Sequence, residues 1–408
     1  MKAKAMKIAE GVYWVGTLHW QTRTFHGFAI NGTTYNCYLV FGQEKVALID
    51  NVFEGMYPQL EARIKNAFMQ EGRSEVKIDV FIQNHSEKDH SYCLAQTLEQ
   101  FPEAEIYSTK NCENFLKGQY EELKDVEFNT VQTGDEISLG GKTFTFFEAQ
   151  MLHWPDSMFT MLKEDGILFS NDAFGQHLCT SQRYAEELDL GLLTQAAQKY
   201  YANLVAFGSP SLRMKLDQYV ELGLLDNTNM IAPCHGLIWK NPQTIIDLYT
   251  KWGTGVCKDK ITIIYDTMHH ATEKMAIQIA EGIMSEDVEV VMYYMENDTA
   301  DDVVSDVLDS KAIAVGSPTM MNKAYPRIGN ALLWLGCINY PATTSIKKAL
   351  IFSSKGWGGG AIPKIQAELE EGGFEIFDTY EAVFTPTEDD LEECYNKGKQ
   401  LAKAIKDN

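Results

Sequence analysis

The chain contains no pair of cysteines in C-x-x-C spacing. Its eight cysteines are scattered at Cys37, Cys93, Cys112, Cys179, Cys234, Cys257, Cys337 and Cys394. That spacing excludes a zinc ribbon and a four-thiolate iron site. It predicts mostly buried thiols in a reducing compartment. The opening residues, from Met1 to Lys7, lack the apolar core of an export signal. No apolar run approaches the ~20 residues that span a bilayer. These absences predict a cytoplasmic protein. Basic charge is also scarce, with 35 Lys and Arg against 57 Asp and Glu, a formal net charge of −22. Nucleic acid and anionic membrane both need a basic face to bind them, so neither is expected as a partner. Internal repeats and low-complexity segments are absent as well.

What is present suits an ordinary globular protein. At 408 residues the chain is too long for one typical domain. With 45% hydrophobic and 11% aromatic residues it can build full cores and is not disordered.

The first part reads as short strands joined by turns. Residues 11–16 form one strand, and residues 36–41 and 45–50 form a hairpin around Gly42 and Gln43. A helix is predicted over residues 57–70, where Leu60, Ile64, Ala67 and Phe68 recur at helical spacing. An apolar strand at 78–83 then runs into Asn84-His85-Ser86-Glu87-Lys88-Asp89-His90. Four metal-ligand side chains thus fall within six residues. Further on, residues 93–101 read as a helix, 106–108 as a short strand and 143–147 as an alternating strand. The same arrangement then recurs. The segment at 143–147 leads to His153, the strand at 166–170 leads to Asp172, and the strand at 229–233 leads to His235. A mainly helical region is predicted between them, over 185–223. A strand fixes the backbone and the loop after it presents ligands.

A lone histidine is usually a hydrogen-bonded core or surface residue, and His153 or His235 alone would be read that way. The cluster reverses that expectation. His85, Glu87, Asp89, His90, His153, Asp172 and His235 form a set of imidazoles and carboxylates without thiolate. Such a set suits two hard-to-borderline ions, and a carboxylate such as Asp172 has two oxygens with which to bridge them.

Near residues 251–259 the composition changes, and two glycines mark a boundary. Beyond it strands and helices alternate. Strands are predicted at 260–265, 288–294, 312–316, 348–352 and 374–377, and helices at 272–284, 301–309 and 391–405. This alternation predicts a parallel sheet with helices on both faces. The loop Asp266-Thr267-Met268-His269-His270-Ala271-Thr272 turns from strand to helix, where amides and hydroxyls can cradle a phosphate. It is neither a GxGxxG nor a Walker loop.

The motif of the first half resembles the metallo-β-lactamase-like domain, whose hydrolases carry His-x-His-x-Asp-His. Here Glu87 replaces the second histidine, as in the flavodiiron proteins. The stretches 152–156 and 232–236 also resemble that family, although Cys234 stands where the family commonly has serine. The second half is similar to flavodoxin. The resemblance spans essentially the whole chain. It implies an α/β protein with an αββα di-iron domain over 1–254 and a flavodoxin-like, doubly wound FMN domain over 255–408.

By position, the resemblance implies one iron on His85, Glu87 and His153, another on Asp89, His90 and His235, and Asp172 bridging the two. In some relatives the histidine equivalent to His90 turns away and solvent replaces it. His26, Tyr200 and Tyr201 resemble residues of the substrate pocket, with ordinary packing as the alternative. FMN would contact Thr267 to Thr272. It would also contact Ser317, Pro318, Thr319, Met320 and Asn322, and Ser353, Ser354, Lys355, Gly356, Trp357, Gly358 and Gly359. The family often has Trp and Ser where this chain has His269 and Ala271, which alters the flavin environment.

The resemblance further implies four-electron reduction of dioxygen to water, with electrons passed through FMN. No rubredoxin or flavin-reductase extension follows, so a separate donor is expected. The wording of the chain is most similar to the group that oxidises reduced coenzyme F-420; rubredoxin is the alternative donor and nitric oxide the alternative substrate. A head-to-tail homodimer, alone or paired into a tetramer, is implied. A zinc hydrolase would need histidine at Glu87 and would leave the flavin half unexplained. An electron carrier or redox sensor would bind flavin but consume no oxygen.

Overall fold

Residues 38–41 and 46–49 read Tyr-Leu-Val-Phe and Val-Ala-Leu-Ile, apolar at every position. Such runs suit strands buried on both faces. The structure is a computed structural model that describes residues 2–336 and 346–406, so Cys337 lies outside the described residues. Tyr38, Val40, Ala47 and Ile49 enter one hydrophobic core. Leu39, Phe41, Val46 and Leu48 enter another. The division follows from side chains alternating across a strand.

The chain forms two compact units, of which the first comprises Met1–Phe25, Ile30–Tyr200 and Ser211–Asp247. We number the strands of the main sheets in chain order. The first sheet contains β1 (Met6–Ala9), β2 (Val12–Trp14), β3 (Tyr38–Phe41), β4 (Val46–Ile49), β5 (Val80–Ile82), β6 (Glu105–Ser108) and β7 (Phe128–Thr130), side by side in that order. Strands β1 to β4 are antiparallel, and β4 to β7 are parallel. The second sheet contains β8 (Glu136–Ser138), β9 (Thr143–Glu148), β10 (Met158–Leu162), β11 (Ile167–Asn171) and β12 (Met230–Pro233). Only the last pair, β11 and β12, is parallel.

The two sheets share a core in which Val40, Ile49 and Ile82 of one meet Phe144, Phe146 and Phe169 of the other. On the outer face of the first sheet, the helix Tyr57–Gln70 buries Leu60, Ile64 and Phe68 against Leu39, Leu48 and Phe81. Truncating any one of these to Ala would cost about 2–5 kcal/mol. On the outer face of the second sheet, Tyr219 of the helix Ser209–Glu221 packs on Phe147 and Phe159. This is the expected αββα sandwich. Its topology delivers the ends of β5, β11 and β12 and the β9–β10 loop to one place. The amide of Met158 donates to the carbonyl of Asn84 at 2.9 Å, tying that loop to the motif after β5.

Several local expectations change. The motif is not all loop, because Lys88–Ser91 makes one helical turn that carries Asp89 and His90. The helical region expected over 185–223 is broken. It contains the helix Leu190–Tyr200, a π-helical turn Tyr201–Val205, a 3₁₀ turn and the helix Ser209–Glu221. Helices Lys110–Gln119 and Pro242–Gly253 were not foreseen.

The second unit comprises His26–Ala29, Tyr201–Pro210 and Leu248–Asn408. Its two early stretches are tied to it by hydrogen bonds. The Ala29 amide donates to Asp301 Oδ2 at 3.0 Å, and Asn203 Nδ2 donates to the Asp301 carbonyl at 3.2 Å. Its sheet contains β13 (Lys258–Tyr265), β14 (Glu289–Tyr294), β15 (Ser310–Pro318), β16 (Lys348–Lys355) and β17 (Glu375–Val383), all parallel, in the order β14-β13-β15-β16-β17. Helices Ala271–Met284 and Glu388–Lys406 cover one face with Met275, Ile279, Leu401 and Ile405. Helices Ala300–Val307, Pro326–Leu335 and Ala361–Glu371 lie on the other. The doubly wound order reverses between β13 and β15, and a crevice opens at such a switch point. Among the described residues, no helix is long and apolar enough to cross a membrane.

Candidate metal centre and ligand cleft

Two sets of donor atoms meet on one carboxylate. Asp172 follows β11 and is buried. Its Oδ2 lies 3.5 Å from His85 Nε2 and 3.3 Å from His153 Nε2. Glu87 Oε2 stands 3.3 and 3.2 Å from the same two nitrogens. The other oxygen, Oδ1, lies 3.0 Å from His90 Nε2 and 3.5 Å from His235 Nε2. Asp89 Oδ2 stands 3.3 and 3.1 Å from those two. The seven residues singled out in the sequence are therefore brought together. A further atom joins them, because Cys234 Sγ lies 2.9 Å from Asp172 Oδ1 and 3.6 Å from His90 Nε2.

These spacings fit metal ions. Donors bound at roughly 2.0–2.3 Å to one ion stand about 3.0–3.5 Å apart when adjacent. The donor atoms of His85, Glu87, His153 and Asp172 all lie within 4.8 Å of one another, as do those of His90, Asp172, Cys234 and His235. Neither oxygen of Asp89 accepts a hydrogen bond, nor does Asp172 Oδ2, although all three are buried. Carboxylate oxygens left this way are costly unless a cation faces them.

The electrostatics agree. Burial disfavours a charged His85, but Asp156, Glu87 and Asp172 outweigh it and raise its pKa well above the ordinary histidine value. Burial opposes charge on His90 and His153 too. Asp89 and Asp172 outweigh it at His90, and Asp172 and Glu87 at His153, raising each to about 9. For Asp172, burial pulls the carboxyl upward, but His90 and His153 hold it well below the usual carboxylate range. The pocket is rich in carboxylate and draws in positive charge. The Cys234 thiol is pushed up, first by burial and then by Asp172.

Residues behind the donors set their orientation. His85 Nδ1 donates to Asp156, 3.1 Å from each oxygen, and the Ser86 amide donates to Asp156 Oδ2 at 2.8 Å. His235 Nδ1 donates to the Thr34 carbonyl at 2.6 Å. Each bond leaves Nε2 facing the centre, which is how ligating histidines are fixed. His90 differs, because its Nδ1 is buried without a hydrogen-bond partner. Asp50, just beyond β4, accepts from the Asn84 amide at 2.8 Å, from Asn84 Nδ2 at 3.0 Å and from Asn171 Nδ2 at 3.4 Å. It braces the residues that precede His85 and Asp172. Burial raises its pKa in spite of these bonds. Gly236 has a φ of +77°, and a Cβ there would fall 2.3 Å from Gln176 Oε1, so the turn after His235 needs glycine.

Sequence reading missed Asp50, the Thr34 carbonyl, and the rings of Phe25, Tyr35 and His177 that surround His235 at centroid distances of 5.7, 5.7 and 4.6 Å. Asp156 lay in a quoted motif without a role. Of the three pocket candidates, Tyr200 donates to Asp172 Oδ1 at 3.1 Å. Tyr201 packs in the second unit on Tyr249 and Trp252, at 4.9 and 5.1 Å. His26 also belongs to the second unit and takes a left-handed φ of 46°.

In the second unit the loops after β13, β15 and β16 surround a cleft of about 600 Å³. It is lined by Met268, His269, Ala271, Pro318, Thr319, Asn322, Ser354, Lys355, Gly356, Trp357 and Gly358, all on the loops expected to hold a ligand. Met321, Phe384 and Thr385 line it as well and were not foreseen. Thr267, Thr272, Ser317 and Ser353 are buried, and Thr272 Oγ1 meets Ser354 Oγ at 2.9 Å. Met320 is closed in a turn with Lys323, and the ring of His270 pairs with Glu273 at 2.7 Å. A Cβ on Gly359 would stand 3.2 Å from Glu381. The helix Ala271–Met284 begins at the cleft, where the amides of a first turn can bind an anion. A Cβ on Gly360 would fall 2.4 Å from the Asn322 carbonyl, so these two loops approach as closely as only glycine permits. Trp357 is 99% exposed, so it is not a buried packing residue.

Family comparison divides the chain in a similar way. Residues 33–236 match the model of the ODP family beta lactamases, and residues 263–398 match that of flavodoxin. The coenzyme F420H(2) oxidase of Methanocaldococcus jannaschii is 50% identical, over 100% of this chain and 98% of its own length. The nitric oxide reductase of Moorella thermoacetica is 38% identical, over 99% of this chain and all of its own. The crystal structure of the flavodiiron protein from Giardia intestinalis superposes with a TM-score of 0.91 at 31% identity, covering 99% of this chain and 97% of that one.

Proposed function

The chain belongs to the flavodiiron proteins, and on that premise we propose that it reduces dioxygen to water with electrons from reduced coenzyme F-420. The observation that carries this reading is the division of Asp172. One oxygen faces His85, Glu87 and His153, and the other faces His90, Asp89 and His235. These are the proposed ligands of two irons, within a di-iron domain over 1–254. FMN is assigned to the cleft of a second domain over 255–408, with the loops after β13, β15 and β16 as its contacts. When bound, FMN and the irons would supply the four electrons that dioxygen needs, two from the flavin and one from each iron.

The protein's own residues support a preference for iron. Glu87 replaces an imidazole with a harder, negatively charged donor, which favours ferric iron over zinc. Asp156 holds His85 in the tautomer that presents Nε2. Tyr200 is the proposed pocket hydroxyl, since it donates to Asp172 Oδ1. The packing of Tyr201 on Tyr249 and Trp252 favours a structural role for that residue. Phe25 and Tyr35 form an apolar wall beside His235 that limits water. Around the cleft, Trp357, Met321 and Phe384 leave an apolar rim uncovered, which supports a head-to-tail homodimer that covers it.

Nitric oxide is the second reading, favoured by the 38% identity with the Moorella thermoacetica reductase. The test is anaerobic purification followed by a donor-by-acceptor grid. Reduced coenzyme F-420 and rubredoxin are each offered with oxygen and with nitric oxide. The expected result is fast oxygen consumption driven by reduced coenzyme F-420. If that donor fails to reduce the flavin, the donor assignment is lost. If the metal present is zinc, the redox reading is lost with it.

A further inference from the structure

We propose that a small oxyanion binds beside Trp14, held by the guanidiniums of Arg63 and Arg183, at a site separate from the metal centre and from the cleft.

Three segments of the first unit meet there. Trp14 ends β2, and Arg63 lies in the helix Tyr57–Gln70. Arg183 is fixed beside the turn after β12, because its carbonyl accepts from the Ile238 amide at 2.8 Å. The guanidinium carbons of Arg63 and Arg183 each stand 4.8 Å from the centre of the Trp14 ring. Trp14 is 3% exposed, Arg63 9% and Arg183 6%.

Neither charge is answered. Among the described residues, Arg63 makes no ion pair, and its Nε and Nη1 are buried without an acceptor. Arg183 donates from Nη2 to the Thr180 carbonyl, but its Nη1 is buried without an acceptor too. Glu187 is the carboxylate that acts on Arg183. Its Oε2 is engaged elsewhere, by the amides of Arg183 and Tyr184 at 3.0 and 3.1 Å. Burial, and then the charge on Arg183, push Arg63 down to about 10, which leaves it a cation at neutral pH.

Arginine is rarely buried unless it is paired. The Trp14 ring offsets part of the cost, but a cation–π contact returns less than desolvating a cation takes. Water could accept from the three orphaned nitrogens and would still leave two like charges buried together. An oxyanion answers both needs, because its oxygens match the fork of a guanidinium and its charge offsets the pair.

Trp14 also joins this site to the metal centre. Its Nε1 donates to Asn36 Oδ1 at 2.7 Å. Asn36 Nδ2 in turn donates to the carbonyls of Pro233 and Gly236, at 2.8 and 3.1 Å. An occupant would therefore steady, from behind, the turn that carries His235.

The test uses the full chain with FMN bound, in chloride buffer free of oxyanions. Phosphate or acetate is added, with sodium chloride at matched ionic strength as the reference. Phosphate should raise the unfolding temperature by about 2 °C or more over chloride. A larger rise with acetate would make the source a carboxylate. Arg63→Met keeps the bulk and removes the charge. It should abolish the rise, and in chloride alone it should unfold no earlier than the wild type. No rise over chloride, or a rise that the variant keeps, overturns the proposal. If the variant does not fold, a crystal structure of the wild type grown with phosphate decides. An oxyanion on both guanidiniums is expected, and water alone overturns the site.

Discussion

At the metal centre the donors are buried side chains, apart from the partly buried His153, and several rest on a further hydrogen bond. Asp156 lies behind His85, the Thr34 carbonyl behind His235, and Asp50 behind the residues preceding His85 and Asp172. Along the cleft the lining comes from strand ends, a helix start and the loops between them, three of its residues are glycine or alanine, and Trp357 stands in solvent. The first region fixes geometry through buried hydrogen bonds, at the cost of burying several carboxylates. The second offers backbone and an exposed rim. A centre that cycles charge needs the former, because donors that shift would change the ion's preferred state. A cleft that must admit a flavin needs the latter.

Mutations should separate the two regions. The largest effect is expected from Asp172→Ala, which removes an oxygen from both donor sets. Iron should fall to background by metal analysis and oxygen consumption with it, while flavin absorbance stays at the wild-type level. Iron retained in full would end the bridging assignment. Next comes Asp156→Asn, which leaves the donors in place and loosens the His85 ring. Iron affinity, measured by chelator competition, should drop about 10–100-fold. Beside the cleft, Gly360→Ala forces a Cβ against the carbonyl of Asn322, which lines it. FMN binding should weaken by about 1–3 kcal/mol in a fluorescence titration, as overpacking typically costs. Iron content should be unchanged, and a parallel loss of iron would break the contrast drawn here. The smallest effect belongs to Trp357→Ala. Thermal stability should stay within about 0.5 kcal/mol, because the side chain is exposed. FMN affinity should fall by about 1 kcal/mol if the ring stacks on the flavin. An unchanged affinity would remove Trp357 from the binding loops.

The same contrast explains what could be read from sequence. The strands leading to His85, Asp172 and His235 were legible because apolar runs of strand length ended at ligand-type residues. The doubly wound sheet was legible from alternation alone. The supports behind the donors were not. The Thr34 carbonyl has no side-chain signature, and Asp50 lies 34 residues from Asn84 in the chain. Residues at the cleft such as Phe384 come from the end of β17, where nothing local marks a ligand loop. The helix Ala361–Glu371 was hidden by Pro363 and the preceding glycines, although a proline in the first turn of a helix loses no hydrogen bond. The turn Lys88–Ser91 carries no helical signature because it is short and polar.

The shared carboxylate has a further consequence, for how the protein is filled. Asp172 is one rigid plane with an oxygen on each donor set, so an ion seated on His85, Glu87 and His153 would lock the orientation that the other set requires. Loading would then be coupled. At limiting iron the population would divide into filled and empty molecules, with few half-filled ones, and activity would track the iron supply in proportion rather than as its square.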